Sequence, residues 1–176
     1  MGDPAINGGG MGHKDHKEKA RGPASALVLT VSDTRTEETD ESGTLIKALL
    51  ADAGHAVAGY EIIPDEPALV AKALAAPPAG ASAAIVNGGT GISKRDSTFD
   101  AVRSALVKEL PGFGELFRML SYEQIGAAAI MSRATAGITA SGLAVFSIPG
   151  SIHAVRLAME KIILPELSHI VWEAGR

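Results

Sequence analysis

Residues 83–98 read AAIVNGGTGISKRDST, and the parsing of this stretch decides the fold. Ala83 to Val86 are small and aliphatic without a polar interruption, the composition of a strand buried on both faces of a sheet. Gly88, Gly89 and Gly91 break any regular continuation, and Ser97-Thr98 brings hydroxyls of the kind that start a helix. Ala101, Val102, Ala105 and Leu106 follow at helical spacing, so the unit is strand, glycine turn, helix.

The same unit occurs twice upstream. ALVLTV (26–31) stops at Ser32-Asp33 as a strand feeding a loop. Leu45, Ile46, Leu49, Leu50 and Ala53 then share one helical face, with Asp40 or Ser42 as the cap and Gly54 at the end. Val57 to Ile63 predicts a second strand, Pro64-Asp65-Glu66-Pro67 its turn, and Leu69, Val70, Ala73 and Leu74 a second helix ended by Pro77-Pro78. Downstream, Phe113, Leu116, Phe117 and Leu120 suit another helix. LAVFSI (143–148) is a late strand ending at Pro149-Gly150, and Ile152, Val155, Met159 and Ile162 mark a last helix, with Pro165 kinking it or opening its last section. Alternation of this kind predicts the α/β class, a largely parallel sheet covered on both faces.

The 176 residues are 46% hydrophobic and only 4% aromatic, enough for one aliphatic core and too few for two. Residues 1–23 are rich in Gly, Lys, Asp and His and are expected to form a disordered tail, leaving 24–176 as the domain. His13 and His16 in HKDH are three residues apart in that polar tail, and the solvated reading outweighs a metal-binding one. The absence of cysteine excludes disulfides, thiolate metal sites and cysteine nucleophiles. No apolar stretch approaches the roughly 20 residues of a membrane span and no secretion signal is visible, so a cytoplasmic location is expected. The net charge is −4, with no basic footprint for nucleic acid.

In an open parallel sheet, ligands sit beyond the carboxyl ends of the strands, where Ser32-Asp33, Pro64-Asp65-Glu66, the glycine turn and Pro149-Gly150-Ser151 converge. Bare glycine backbone cradles anions, phosphate above all, although GGTG is neither GxxxxGK[ST] nor GxGxxG and also suits a tight strand-to-helix turn. Asp65 and Asp96 bring negative charge to the same end of the sheet. Two such charges about 4 Å apart repel by about 4 kcal/mol at an effective dielectric near 20, which Mg2+ offsets by accepting carboxylate and phosphate oxygens together. Lys94 and Arg95 are further sources of positive charge. Asp65 equally suits a turn former and Asp96 a helix cap. His55 and His153 are explained by turn and first-turn positions without metal chemistry.

VSDTR (31–35), DESG (40–43), IPDE (63–66), GGTGISKRDST (88–98), PGFGELFR (111–118), Ser132-Arg133 and Pro149-Gly150 together resemble the molybdopterin adenylyltransferase family, the MogA/MoaB-like proteins of molybdenum cofactor biosynthesis. The likeness runs from about Ala24 to the last helix and is nearest the MoaB branch in FRMLSYEQIG and PGSIHAV. It implies a three-layer α/β/α domain, assembly as a homotrimer or homohexamer, and Mg-ATP-dependent adenylylation of molybdopterin with release of pyrophosphate. By the same resemblance Asp65 and Asp96 are the catalytic and Mg2+-binding acids. Gly88, Gly89, Thr90 and Gly91 bind phosphate, Ser32, Asp33, Pro149, Gly150 and Ser151 line the pocket, and a metal-insertion protein is a possible partner. Asn87 stands where threonine is common in the family. The alternatives are a non-catalytic molybdopterin-binding or carrier protein, and another phosphate-ester enzyme on the same architecture.

Overall fold

The computed structural model describes residues 22–176, so His13 and His16, and most of the expected tail, lie outside the described residues. The strands are β1 (Ser25–Val31), β2 (Ala56–Ile63), β3 (Ala83–Asn87), β4 (Leu106–Glu109), β5 (Thr135–Thr139) and β6 (Ala144–Ile148). The helices are α1 (Glu41–Asp52), α2 (Pro67–Ala75), α3 (Thr98–Ala105), α4 (Pro111–Ile125), α5 (Ile152–Ala158) and α6 (Leu164–Ala174). A 3-10 turn, Gly126–Met131, follows α4.

One sheet of order β2-β1-β3-β6-β5-β4 carries helices on both faces. The side-chain alternation of β1 explains the layering. Leu27 and Leu29 point to a core shared with Val70 and Leu74 of α2 and Val102 of α3. Ala26 and Val28 point the other way, to Ile46 and Leu50 of α1, Phe117 of α4, Val155 of α5 and Leu167 of α6. The α/β class and the three layers are therefore as expected.

The four strands β2, β1, β3 and β6 are mutually parallel, with Val31 beside Ile63, Thr30 beside Asn87 and Asn87 beside Ile148. Their carboxyl ends thus meet along one edge, and every loop named in the sequence as ligand-facing leaves from it. The sheet is mixed beyond that point, because β5 runs antiparallel to β6 and β4 antiparallel to β5. The helix expected to carry Leu106 ends at Ala105 instead, and Leu106 opens β4. Leu106 pairs with Thr139 there, so ladder bonds at the sheet edge replace the helical turn.

Two alternatives left open by the sequence are decided by the structure. Asp40 is the N-cap of α1, accepting from Gly43 N, which leaves Ser42 inside the helix. Pro165 lies in the first turn of α6, and a π turn at Met159–Ile163 comes directly before it. Proline has no N–H and its ring crowds the carbonyl four residues back, so widening the preceding turn lets the helix continue. Along α4, Phe113 and Phe117 are buried, whereas Leu116, Met119, Tyr122 and Ile125 are 48–64% exposed and form an apolar outer face with Ile130 and Met131.

Candidate functional site

The glycine turn owes its shape to close approach. Gly88 has φ of +103°, and a Cβ there would collide with the Val31 carbonyl. Gly89 has φ of +61°, and its Cβ would strike the Thr98 hydroxyl and lie 2.5 Å from Asp65 Oδ2. Both positions therefore need glycine. Gly88 N donates to the Ile148 carbonyl at 3.1 Å, and Thr98 N donates to the Gly89 carbonyl at 3.1 Å, which fastens the turn between β6 and the start of α3.

Arg133 fastens it from the other side. Its Nε donates to the carbonyls of Thr90 and Gly91 at 3.3 and 2.9 Å, and one terminal nitrogen donates to the Asp96 carbonyl at 2.8 Å. Its other terminal nitrogen pairs with Asp100 at 3.0 Å, and the guanidinium lies over the Phe99 ring at 5.0 Å. A planar fork with several fixed donors suits this clasp as lysine would not. In the sequence Ser132-Arg133 is visible only as a family marker, since the carbonyls that Arg133 holds are about forty residues away.

The two expected acids flank this turn. Asp65 Oδ1 accepts from Ser97 N at 3.3 Å, Ser97 Oγ at 2.8 Å and Thr98 Oγ1 at 3.2 Å. Ser97 therefore gives its hydroxyl to Asp65 and makes no side-chain cap on α3. Asp65 N donates to Asp33 Oδ1 at 3.3 Å, and Asp33 Oδ2 pairs with Arg95 at 2.5 Å. Asp96 Oδ2 accepts from Ser93 N at 2.8 Å, and a Cβ on Gly91 would lie 2.6 Å from that oxygen. One oxygen of each acid, Asp65 Oδ2 and Asp96 Oδ1, accepts nothing among the described residues.

A cavity of about 470 Å3 opens at the carboxyl edge of the sheet. Ser32, Gly88, Gly89, Thr90, Gly91, Asp96, Pro149 and Gly150 line it. Asp33, Asp65 and Ser151 stand outside its wall. Asp33 faces Arg95, Asp65 lies behind Gly89, and Ser151 caps α5 by accepting from Ala154 N at 3.3 Å. The wall also includes Thr30, Asn87, Phe117 and Ser132, which sequence reasoning did not place there.

Beneath the cavity lies a buried carboxylate. Asp40 is 1% exposed and accepts four hydrogen bonds. Gly43 N and Ser42 Oγ donate to Oδ1 at 3.0 and 2.9 Å, while Thr30 Oγ1 and the Tyr60 hydroxyl donate to Oδ2 at 2.5 and 2.8 Å. Burial acts to raise the Asp40 pKa, but the donors from Gly43, Thr30, Tyr60 and Ser42 outweigh it and hold the carboxyl below the usual aspartate value. Burial first, then the bond to and charge of Asp40, push the Tyr60 phenol above its ordinary range. His55 accepts from Ala24 N at 3.1 Å, and burial lowers its pKa, the setting of a neutral structural imidazole. His153 is exposed in the first turn of α5. Among the described residues, no group of three or more His, Asp or Glu side chains is placed to hold a metal, and no helix is long and apolar enough to cross a membrane.

Residues 27–169 match the family model described as a probable molybdopterin binding domain. The chain is 52% identical over 166 residues to molybdenum cofactor biosynthesis protein B of Bacillus subtilis (strain 168), covering 93% of this chain and 97% of that protein. A crystal structure of a molybdenum cofactor biosynthesis protein B superposes with a TM-score of 0.85 at 51% identity, covering 88% of this chain and 98% of that one. The tungsten cofactor synthesizing protein MoaB from Pyrococcus furiosus superposes with a TM-score of 0.79 at 40% identity, covering 88% and 98%.

Proposed function

Because this chain belongs to the molybdenum cofactor biosynthesis family whose domain is described as a probable molybdopterin binding domain, we propose that it is a nucleotidyltransferase that adenylylates molybdopterin with Mg-ATP. The observation that carries this reading is the glycine turn with one carboxylate behind Gly89 and another beside Gly91, both retaining an oxygen that accepts nothing. A site that only bound a phosphate would gain from cations around that turn. Two acids there suit a site that takes up a divalent ion along with the phosphates.

In this reading a terminal phosphate oxygen of molybdopterin attacks the α-phosphorus of ATP. The new P–O bond forms as the α–β anhydride bond breaks, and the electron pair leaves with pyrophosphate. The nucleophile is already ionised, so no serine or histidine base is needed, and positioning with charge neutralisation carries the rate. Backbone N–H groups around Gly89, Thr90 and Gly91 bind phosphate oxygens, and Arg133 keeps that backbone in place. Asp65 and Asp96 would hold Mg2+ through their free oxygens, with the phosphates completing its oxygen shell; the ion would supply charge neutralisation along the polyphosphate. Asp33 positions Asp65 from behind through the Asp65 N–H.

The protein would work in the cytoplasm as a homotrimer or homohexamer, using the exposed apolar face of α4, and would hand adenylyl-molybdopterin to a metal-insertion protein. The test is adenylyl-molybdopterin formation by the parent, Asp65→Ala and Asp96→Ala, with and without Mg2+. The proposal expects Mg2+-dependent product from the parent and a loss of about 100-fold or more in each variant, the range for removing a charge-stabilising group. Molybdopterin binding without product from the parent would make the protein a carrier.

A further inference from the structure

Asn87 ends β3 at the cavity, is fully buried, and uses only half of its amide. Its Nδ2 donates to Thr30 Oγ1 at 2.9 Å and toward the Leu29 carbonyl at 3.4 Å, while its Oδ1 has no hydrogen-bond partner. This orientation is imposed from a distance. Asp40 is a carboxylate and can only accept, so Thr30 must point its hydroxyl hydrogen at Asp40 Oδ2. The Thr30 oxygen then faces Asn87 as an acceptor, and only the amide nitrogen can answer it. Turning the amide over would set its oxygen against both the Leu29 carbonyl and the Thr30 lone pairs.

The chain of donors from Asn87 through Thr30 to Asp40 thus leaves a carbonyl oxygen unpaired and buried in the cavity wall, on the side of Gly150, where a Cβ would lie 3.9 Å from it. Gly88 and Gly150 meet at the same place, so what separates that oxygen from the cavity is backbone without side chains. A carbonyl oxygen repels phosphate and attracts an N–H. Ser132 Oγ, the other partnerless buried atom on the cavity wall, is a hydroxyl that can turn to suit either polarity.

We infer that Asn87 is a specificity-determining residue whose side-chain oxygen accepts an N–H from an amino-substituted heterocycle bound in the cavity. The inference rests on the proposed adenylyltransferase reading, in which both substrates bring such a group: the 2-amino group of the pterin and the 6-amino group of adenine. A ligand with an exocyclic carbonyl oxygen in that place would set two acceptors face to face and leave the buried carbonyl unpaired.

Two pairs of probes differ in that group alone. 6-Hydroxymethylpterin and 6-hydroxymethyllumazine are titrated by their fluorescence, and Mg-ATP and Mg-ITP by calorimetry, against the parent and Asn87→Leu. The expected result is that the parent prefers the amino member of one pair by about 10-fold or more and that Asn87→Leu binds both members of that pair alike. The pair that discriminates identifies which ring meets Asn87. A role confined to joining β1 and β3 would leave the ratio unchanged in the variant. Should thermal melting show that Asn87→Leu does not fold, Thr30→Val removes the acceptor that orients the amide, and the same ratio is expected to shrink. Binding of both probe classes without amino preference, or preference that survives substitution, overturns the assignment of Asn87 alone. Binding of neither class overturns it together with the functional reading beneath it.

Discussion

Replacing Asp40 by asparagine alters one atom type in the buried network and changes the polarity of everything attached to it. In the parent, each carboxylate oxygen takes two donors, Ser42 and Gly43 on one side and Thr30 and Tyr60 on the other. The Gly43 N–H cannot rotate, so the asparagine oxygen must face it to keep the cap on α1. Its NH2 group then meets two hydroxyls that were donating. Hydrogen bonds to a charged group are worth about 1.5–3 kcal/mol against about 0.5–1.5 for neutral ones. Four weakened or reversed bonds, offset by no longer burying a charge, leave a net loss of about 3 kcal/mol. For a domain of this length that is a fall in Tm of about 6–12 °C.

The pH dependence has a definite sign. The folded carboxyl lies below its ordinary value, so its contribution is complete above about pH 4 and fades as pH falls through the lowered folded value. Thermal melts of parent and Asp40→Asn are expected to differ fully at pH 7 and to converge on acidification below about pH 4. A Tm difference under about 2 °C at pH 7, or a gap that widens on acidification, would refute the account of Asp40 as a charged hub.

Arg133→Met keeps much of the side-chain volume but removes every bond to the carbonyls of Thr90, Gly91 and Asp96. Adenylylation is expected to fall about 10-fold or more while Tm drops by only a few degrees; full activity would show that the turn holds its shape without the clasp. Met119→Lys places a charge on the outer face of α4, where Met119 is 54% exposed. Size exclusion with light scattering should give the parent as three or six copies of an 18.0 kDa chain and the variant as smaller species; a parent at 18.0 kDa would refute the oligomeric reading.

The parts of the structure that could be read in the sequence are those decided within a few residues. The aliphatic run of β3 and the glycines after it needed no distant partner, and Asp40 three residues before Gly43 is a local cap. Leu106 was misread because its helical spacing is satisfied locally, whereas its strand assignment depends on Thr139, thirty-three residues on. Ser97 illustrates the same limit. Its position suits a cap, but Asp65 from another loop takes its hydroxyl. Arg133 and Asn87 owe their roles to groups that meet only after β1, β3 and β6 align, so residue type alone could not reveal them. Asp65 was identified by its place after β2, yet its position behind Gly89 and outside the cavity wall is a three-dimensional fact.

A site that moves an adenylyl group must carry the α-phosphorus of ATP onto molybdopterin. The most direct test incubates the protein with molybdopterin, Mg2+ and ATP carrying 32P at the α-phosphorus, and follows the label and pyrophosphate together. Label appearing in molybdopterin in equal amount to the pyrophosphate released is the predicted result. Label that stays in ATP while molybdopterin is bound, or that departs as free AMP without joining molybdopterin, would contradict it.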